Sequence, residues 1–526
     1  MNRREFCTGL GTVIATGMSN RSFGAAAAKR RPADVDPDPE GGYTPEPPRQ
    51  FFFFDYRHID PRDLRWFSPE GRQLPVAGPP EPPVKAWAGA DDVADGIRLV
   101  AQKATRQGPI KGLPNAMLYE DGLYRAWSMN IDYGSGKNLG SYSQAPAKSL
   151  LIRSGESKDG YTWHWREVGT VTPPPNVSGV DGGYFFIDPH GPEEERYKCI
   201  YHALVLEGQA ELWRRYQQVH PRYRDVRLNE NRINGLYGMV SPDGVNWKVI
   251  PEPLMIHKGD TDNTVYYDAW LGKYVLYTRL YWMGRRMVAR SESEDFRHWT
   301  PVEPMLWPRL EDPFYWDVYT NGRTCYPGRC DYHLMFPIFY RRLTQTSEVH
   351  LHSSYDGIHW DRVPGGPVLE PGEPGSWDGE YIVAGKGLVP LGKDRIAIPY
   401  TAYNYPHKYP RWPGVITSKV GWATWPRGRL CALRADGYGQ FDTFSVEVTG
   451  RELRLNCKVP RSGEIRVGLY RVKGRSVEDC DAISGDRADH LATWKGDSRL
   501  TVEPGQKVIL RFRMRAADLF GFEFKA

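Results

Sequence analysis

Acidic residues recur at one register of this sequence, just before short apolar runs that are far apart along the chain. The segments are Asp181-Gly182-Gly183, Asp260-Thr261-Asp262-Asn263, Trp316-Asp317-Val318 and Trp377-Asp378-Gly379-Glu380. Carboxylates that converge on one concave site are what glycoside hydrolysis requires. One acid protonates the leaving oxygen, and an ionised carboxylate activates water or attacks the anomeric carbon. The pattern therefore predicts carboxylate chemistry on a sugar.

Within this set we predict a catalytic trio of Asp262, Asp317 and Glu380. Glu380 is the expected general acid, because it follows Trp377 and precedes an apolar run that would raise its pKa by desolvation. Asp262 lies between a hydroxyl and an amide side chain, whose donors would keep it ionised as base or nucleophile. Asp317 would orient the substrate or tune the pKa of the acid. The alternative for each is a structural role, since Asp often holds turns.

Substrate contacts are predicted from the same segments and from the one equivalent segment that has no acid. The predicted binding residues are Asn115, Asp260, Asn263, Trp316 and Trp377. Flat aromatic rings stack on the apolar faces of sugars, although aromatic residues make up 13% of the chain and are expected mainly in the core. If the trio is not catalytic, Asp181, Asp260 and Asp378 are the next candidates.

A block close to Ser-x-Asp-Gly-x-x-Trp recurs along the chain and indicates the elements that position these residues. Its copies are residues 157–163, 241–247, 354–360, a looser one at 291–299 and a worn one at 418–425. Asp-Gly makes a tight turn because Gly accepts positive φ, and the Trp can pack across the strand pair. Asp159, Asp243 and Asp356 are therefore expected to be structural. Repetition at long period indicates one supersecondary unit whose faces are buried against its neighbours.

The repeated unit has four strands and occurs five times with uneven spacing, which predicts an all-β chain with a five-bladed β-propeller. One short helix is expected near 208–219. Beyond the repeat, short strands of period 2 predict a C-terminal β-sandwich. The predicted domains are a signal peptide (1–28), a Pro/Gly-rich linker and extension (29–86), the propeller (87–435) and the sandwich (436–526).

The N-terminus begins with Arg3 and Arg4, followed by a modestly apolar stretch and a run of small residues. This pattern is typical of a twin-arginine export signal, so we expect a periplasmic or extracellular bacterial protein cleaved near 25–28. The formal charge of +5 is spread along the chain, which gives no indication of nucleic-acid binding. No other stretch is apolar enough to span a bilayer. We expect a monomer whose partner is a carbohydrate substrate.

Seven cysteines include Cys7 in the signal segment. Cys325 and Cys330 flank a hairpin-like bend and could be bridged in an oxidising compartment, whereas the others fit buried strand positions. The spacing of Cys and His signals no transition-metal site. No cofactor is expected, although the clustered carboxylates and Asn263 could hold a structural divalent cation such as calcium.

Five blades, acidic innermost strands and a C-terminal sandwich resemble the glycosidases of families 32 and 43, and exported bacterial proteins described as family-32-like. The resemblance covers about residues 100–435 by architecture and the sandwich by position. It implies a secreted or periplasmic glycosidase that uses two or three carboxylates. Two motifs depart from it. Where invertase-type enzymes have Trp-Met-Asn-Asp-Pro-Asn-Gly, residues 112–117 supply Asn115 and no acid, and their Arg-Asp-Pro has only an echo at 311–313.

The sequence thus favours a glycoside hydrolase that acts on a poly- or oligosaccharide through carboxylates in the central pocket. Two alternatives stay open. A non-catalytic carbohydrate-binding propeller is supported by Asn115 in place of an acid. A glycoside phosphorylase on the same fold would be distinguished by its requirement for phosphate.

Overall fold

The computed structural model describes residues 50–60, 94–134, 146–221, 224–225, 233–269, 271–408 and 417–526. In these ranges the only helices are α1 (Gln209–Val219) and a 3-10 turn at Glu193–Glu195, so the prediction of a nearly all-β chain is confirmed. The helix lies where the sequence predicted one. None of the described helices is long and apolar enough to cross a membrane. The predicted signal peptide, most of the linker and the predicted start of the propeller lie outside the described residues.

A series of antiparallel sheets makes up the middle of the chain. Sheet 1 contains β5 (Leu118–Glu120), β6 (Leu123–Asp132), β7 (Ser149–Ser157) and β8 (His164–Val171). Sheet 2 contains β9 (Val177–Ile187), β10 (Tyr197–Val205), β11 (Ile233–Ser241), β12 (Lys248–Val249) and β13 (Met255–Ile256). Sheet 3 contains β14 (Thr264–Asp268), β15 (Lys273–Trp282), β16 (Arg285–Ser293) and β17 (Glu303–Leu306). The four principal strands of each follow one another in space as they do in sequence.

Sheet 4 is divided by bends into two short parts. One part contains β18 (Trp316–Val318), β21 (Ile338–Arg341) and β22 (Thr346–Val349). The other contains β19 (Arg323–Tyr326), β20 (Arg329–Met335), β23 (His352–Ser354) and β24 (Asp361–Arg362). Sheet 5 contains β25 (Tyr381–Ala384), β26 (Val389–Leu391), β27 (Arg395–Tyr403) and β28 (Ser418–Pro426), and its outer strand is β4 (Thr105–Gln107). An early strand thus completes the last sheet of the series.

The sheets contact one another in a closed series. Strand β6 contacts β9, β9 contacts β14, β16 contacts β18, β22 contacts β25, and β26 returns to β5. The return is also made by backbone: Ala116 and Lys386 form a parallel bridge, and the Lys386 N–H donates to the Asn115 carbonyl at 3.0 Å. Each sheet therefore contacts two others, and central strands such as β10 and β20 are almost completely buried.

The C-terminal strands form a larger sheet with help from the N-terminal extension. They are β29 (Cys431–Thr443), β30 (Val446–Glu447), β31 (Glu452–Val459), β32 (Glu464–Leu469), β33 (Gly485–Leu491), β34 (Lys507–Val508) and β35 (Leu510–Lys525). The long β35 pairs with β29, β31 and β32, while β30 and β34 form a separate pair. From the extension, β1 (Gln50–Phe52) pairs with β35, and β2 (Ile59–Asp60) and β3 (Arg98–Ala101) pair with β29. The predicted domain boundaries stay predictions.

The repeated turns show why the Ser-x-Asp-Gly-x-x-Trp block recurs. In the second copy the Asp243 carboxylate accepts the backbone N–H groups of Val245 and Asn246, both at 2.8 Å, and Gly244 has a φ of 73°. The Trp247 indole N–H donates to the Gly244 carbonyl at 3.0 Å. The backbone hydrogen bonds that the Asp243 carboxylate accepts lower its pKa to about 2, and the bond from Asn246 has the largest effect. The prediction that these Asp residues are structural fits this geometry.

In sheets 1, 2 and 4 the same turn also joins the sheet to the one before it. The carbonyl of the turn glycine accepts a hydrogen bond from an aromatic side chain of the preceding sheet. These bonds join Trp422 to Gly160 (3.2 Å), Trp127 to Gly244 (2.8 Å) and Tyr277 to Gly357 (2.5 Å). In the looser copy Phe296 takes the glycine position with a φ of 64° and is fully buried. We call this bond between a turn and the preceding sheet the inter-sheet latch.

Replacing Asp243 by Ala should lower the free energy of unfolding by about 1 kcal/mol, because two backbone N–H groups lose their acceptor. Since folding lowers the pKa of Asp243, its contribution is present near neutral pH and is lost as the pH falls from about 4 towards 2. Urea unfolding of both proteins at pH 7 and pH 3 measures the effect. The exposed Glu303→Ala is the control. Equal stability of the Asp243 variant and the wild type at pH 7 would contradict this role.

Candidate active site

Residues from sheets 2, 3, 4 and 5 meet at one end of the closed series, which we call the mouth. Its residues are Asp181, Asp260, Arg279, Tyr281, Tyr319, Tyr381, Tyr403 and His407. The chain of contacts runs from Asp260 to Arg279, on to Tyr319, and then to His407 and Tyr381. Two carboxylates, one guanidinium and several aromatic rings therefore lie near one another, which is a composition that suits a sugar site.

Arg279 on β15 organises the sheet 3 side of the mouth. Its side chain is buried, and one Nη donates to the Asp260 carboxylate at 2.8 Å. The other Nη donates to the Tyr319 carbonyl at 3.2 Å, and the guanidinium lies 3.9 Å from the Tyr319 ring centroid. Burial alone would lower the pKa of Arg279, but Tyr319 and Asp260 together raise it. The Tyr281 hydroxyl adds a long contact to Asp260 at 3.4 Å.

Asp181 on β9 is the second carboxylate of the mouth. The strand is irregular here, since the pairing of β9 with β10 shifts on both sides of His202, which lies opposite Asp181. Such bulges re-aim side chains and are common beside active sites. Asp181 is open to solvent, yet enough protein surrounds its carboxyl that desolvation raises its pKa, despite a 2.7 Å hydrogen bond from the Gly182 N–H. A raised pKa in a solvent-filled recess suits a general acid.

Asp181 lines a cavity of about 220 Å³ between sheets 1 and 2. Asn115, Arg125, Trp127 and Gly183 line the same cavity. The structure thus brings the predicted binding residue Asn115 close to Asp181. The negative charge of Asp260 further raises the pKa of Asp181.

Asp262, which the sequence predicted as base or nucleophile, makes hydrogen bonds and an ion pair with residues of neighbouring sheets. Its carboxylate accepts the backbone N–H groups of Asn321 at 2.5 Å and Gly322 at 3.0 Å, and Lys386 lies 3.3 Å away. Lys386 also donates to the Asn263 carbonyl at 2.8 Å. These bonds join sheets 3, 4 and 5 and give Asp262 a structural explanation.

Asp317, the second member of the predicted trio, is completely buried between two guanidinium groups. Arg286 donates to it at 2.9 Å, and Arg342 donates through two nitrogens at 2.7 and 2.9 Å. This burial argues against a catalytic role for Asp317, because no surface of the carboxylate is left for a substrate. The role stays a prediction. The paired charges explain why an acid is tolerated here.

Glu380, the predicted general acid, lies at the start of β25 and is half-buried. Its backbone N–H donates to the Tyr403 carbonyl at 3.3 Å, which places it beside the mouth. Its carboxylate has no hydrogen-bond partner among the described residues. Glu380 therefore stays a candidate, although no contact joins it to Asp262 or Asp317 as the trio required.

The other predicted binding residues pack within the sheets. The Trp377 ring packs at a tilt against that of Tyr400, with 5.4 Å between the centroids, and lies so close to Gly421 that a Cβ there would meet the ring at 2.7 Å. Trp316 packs edge-on against Phe339 at 6.1 Å. These contacts favour structural roles for both tryptophans.

Asn263 and Asp378 are also satisfied by protein groups. The Asn263 amide accepts from Thr278 at 2.7 Å and donates to the Gly259 carbonyl at 2.9 Å, so it is poorly placed to serve a sugar or a cation. Asp378 accepts the Tyr400 hydroxyl at 2.9 Å and pairs with Arg106 at 3.2 Å. No group of three or more His, Cys, Asp or Glu suited to a metal occurs in the part of the chain that the structure describes.

A larger cavity, about 550 Å³, lies away from the mouth between β1, sheet 5 and the C-terminal sheet. Four of its charged lining residues are paired with one another: Arg429 lies 2.6 Å from Asp486, and Arg454 lies 3.4 Å from Asp489. Because these charges neutralise each other, we assign the larger cavity to the seam between sheets rather than to chemistry.

The sequence analysis missed six of the eight mouth residues: Arg279, Tyr281, Tyr319, Tyr381, Tyr403 and His407. One signal was available for Arg279, because it is the one charged residue within the buried run of strand β15. A charge at a buried strand position needs a partner and often marks a site. Tyr319 gave no such signal among the many aromatic residues.

No protein-family model matches this chain, and no curated protein matches it. Solved structures are similar at low identity. An N-acetylgalactosamine deacetylase from F. plautii, in complex with blood group B trisaccharide, is 14% identical over 65% of this chain and 93% of its own, with a TM-score of 0.40. A family 32 β-fructofuranosidase from Bombyx mori is 10% identical over 81% and 94%, with a TM-score of 0.38.

A β-1,2-mannobiose phosphorylase from Listeria innocua is 12% identical over 63% of this chain and 91% of its own, with a TM-score of 0.37. The structural neighbours thus include glycoside hydrolase-fold proteins, as the predicted resemblance to families 32 and 43 led us to expect. With TM-scores below 0.5, these likenesses carry no argument about the activity of this chain.

Proposed function

We propose that this protein is a glycoside hydrolase whose active site is the mouth of a five-bladed β-propeller, with a β-sandwich behind it. Sheets 1 to 5 would be the blades, since each contacts the next and the last contacts the first. The outer strand β4, which the N-terminal part of the chain adds to sheet 5, would close the ring. The observation that carries the proposal is the pair of carboxyl groups, Asp181 and Asp260, in different electrostatic settings at one open mouth.

The two settings suggest two roles. Asp181, whose pKa is raised by desolvation, is the proposed general acid that protonates the leaving oxygen. Asp260, 2.8 Å from the buried Arg279 guanidinium, is the proposed ionised carboxylate that activates water or attacks the anomeric carbon. Tyr281 and Tyr319 would contact the sugar beside it. Glu380, at the edge of the mouth, is the reserve candidate for either role.

A screen of plant and algal polysaccharides for new reducing ends tests the proposal. On a glycan that the wild type cleaves, Asp260→Asn should lower turnover by a factor of roughly 10² to 10⁴, because the amide cannot act as base or nucleophile. Asp243→Asn, at a repeated turn, is the matched control and should leave turnover nearly unchanged. Retention of more than a tenth of the activity by Asp260→Asn would refute its role. Binding of a glycan without cleavage would support the non-catalytic alternative.

A phosphorylase is the second candidate, and one observation favours it. Arg286 and Arg342 both bind the single carboxylate of Asp317, which leaves surplus positive charge beside the mouth. A phosphate nucleophile would be attracted there. Release of sugar phosphate that depends strictly on added phosphate would establish this alternative, whereas cleavage in phosphate-free buffer would exclude it.

We also propose export through the twin-arginine segment. The structure supports an oxidising destination in one respect, since Cys325 and Cys330 form a disulfide while the other described cysteines are buried and free. Changing Arg3 and Arg4 to Lys should retain the protein in the cytoplasm. Unchanged export would show that another route is used.

A further inference from the structure

An exposed apolar surface borders the mouth on the side of sheets 3 and 4. It is carried by the turn between β15 and β16, the turn between β21 and β22, and the connection from β17 to β18. Its exposed members include Trp282 (51% exposed), Met283 (88%), Phe314 (85%) and Leu343 (73%). We call this surface the shelf. Exposed apolar side chains grouped in this way mark an interaction site more often than isolated ones do.

The shelf is held rigidly, although it is exposed. Met283 and Gly284 both have positive φ, 47° and 73°, and Met is rarely found in that conformation. The neighbouring sheet fixes the turn, because Arg342 donates to the Gly284 carbonyl and Arg285 donates to the Trp316 carbonyl at 2.5 Å. A strained, exposed methionine beside a tryptophan on a fixed turn is a costly arrangement to keep without a use.

The edge of the shelf nearest the mouth carries unbalanced positive charge. Lys258 and Arg286 flank the Tyr281 ring, at 5.1 and 5.5 Å from its centroid. Within the described residues Lys258 and Arg285 have no carboxylate at ion-pair distance, and Arg286 shares Asp317 with Arg342. Tyr281 is also in contact with Asp260, so the cationic edge joins the shelf to the proposed catalytic carboxylate.

We propose that the shelf binds an acidic glycan, with sugar rings on Trp282 and Phe314 and anionic substituents at Lys258 and Arg286. The assignment rests on the proposed function, whose site it extends. Apolar rings beside surplus cations complement a chain that presents apolar C–H faces together with carboxylate or sulfate groups. A purely apolar partner would make no favourable contact with the cations, and a neutral glycan would not neutralise their charge.

The test is calorimetric titration of the full-length protein with oligogalacturonates of four to six residues. The same oligomers with methyl-esterified carboxylates are the ligand control, and sulfated galactan oligomers of similar length distinguish sulfate from carboxylate. We expect binding of at least one acidic series, loss of most affinity on esterification, and weaker binding as NaCl rises from 50 to 500 mM. Equal binding of acid and ester, or no binding of either acidic series, would overturn the assignment.

Variants locate the binding on the shelf. Lys258→Gln should weaken acidic oligomers about two- to fivefold and reduce the salt dependence, whereas the exposed Lys158→Gln in a distant turn should change neither. Trp282→Ala should weaken binding by up to about tenfold, with the exposed Tyr438→Ala on β29 as its control. Equal effects of shelf and control variants would place the binding elsewhere and refute the proposal.

Two other occupants are separated by further outcomes. Binding of inorganic phosphate alone, with the same dependence on Lys258, would reassign the cations to a phosphorylase. Concentration-dependent dimerisation in sedimentation, abolished by Trp282→Ala, would show that a second copy covers the shelf. If acidic oligomers bind but no glycan is cleaved, the hydrolase proposal fails and this one stands. Cleavage of a neutral glycan without binding of acidic ones would support the hydrolase proposal and overturn the assignment of the shelf.

Discussion

Replacing Asp181 by Asn is expected to lower turnover by a factor of about 10² to 10⁴ on any glycan that the protein cleaves. Asn has nearly the same shape and still meets the Gly182 N–H, but it cannot deliver a proton to the leaving oxygen. Substrates with an activated leaving group, such as aryl glycosides, should lose much less, because they need little protonation. A comparable loss for both kinds of substrate would contradict the role of general acid.

The pH profile gives a second measure of the same residue. Because desolvation raises the pKa of Asp181, its protonated form persists to higher pH than that of an ordinary Asp. Activity should therefore be lost as the pH rises through that raised pKa, and Asp181→Asn should remove this alkaline limb from its residual activity. An alkaline limb unchanged in the variant would assign it to another group, with Glu380 the first to test.

Asp181→Asn, which should lower turnover, is expected to raise the stability of the folded protein. A carboxyl whose pKa is raised on folding contributes stability only while protonated, and that contribution is lost as the pH rises through the folded pKa. Above the folded pKa the ionised Asp181 therefore lowers the stability, and Asp181→Asn should there unfold at a higher temperature than the wild type. Below the ordinary pKa of Asp the gain should vanish. A loss of stability at pH 7 would indicate that Asp181 holds the structure together.

The second large effect is expected at the interface between sheets 2 and 3, where Lys198→Met should cost about 3–5 kcal/mol of stability. Both Lys198 and Asp188 have fully buried side chains, 2.8 Å apart. Asp188 also accepts the Tyr274 hydroxyl at 2.5 Å, and Lys198 donates to the Glu195 carbonyl at 2.7 Å. Methionine fills the volume but leaves a buried carboxylate without its counter-ion.

Denaturant unfolding measures this cost, and an exposed pair provides the control. Arg98 and Asp436 lie 2.7 Å apart with both side chains largely in solvent, so Arg98→Met should change the unfolding midpoint little. Adding Asp188→Leu to Lys198→Met should recover part of the loss, since it removes the unpaired charge. Similar effects of Lys198→Met and Arg98→Met would show that the buried pair contributes nothing special.

The sequence predicted what local chemistry determines. The Asp-Gly turns, the strands that follow them, the helix near 208–219 and the Cys325–Cys330 pair depend on neighbouring residues, and the structure has them where they were expected. The predicted position just before a strand holds for the acidic segments ahead of β14 and β25, whereas Asp181 lies within β9 and Asp317 within β18. The exception is instructive: Phe296 occupies a glycine position, because burial of its ring offsets an unfavourable φ.

The roles within the acidic register could not be predicted in the same way. The sequence analysis placed Asp317 and Asp262 ahead of Asp181 and Asp260, but the partners of Asp317 and Asp262 come from other parts of the chain. Arg342 reaches Asp317 from a later hairpin, and Lys386 reaches Asp262 from sheet 5. Whether a carboxylate is neutralised inside the ring or left open at its mouth depends on these long-range pairings, which sequence spacing does not contain.

The inter-sheet latch between Trp422 and Gly160 joins residues 262 positions apart, and this sets an order on folding. During synthesis, sheets 1 to 4 emerge before the strand that carries Trp422 exists. Until then sheet 1 has an uncovered face, and the early strand β4 has no partner strand to join. Closure of the series depends on a contact between residues that are far apart in the sequence. Such a contact forms slowly because a long loop must lose its conformational freedom in one step. Until sheet 5 has been translated, the nascent chain therefore exposes a sheet face and an unpaired strand that are prone to aggregation. A chaperone would matter most in that interval.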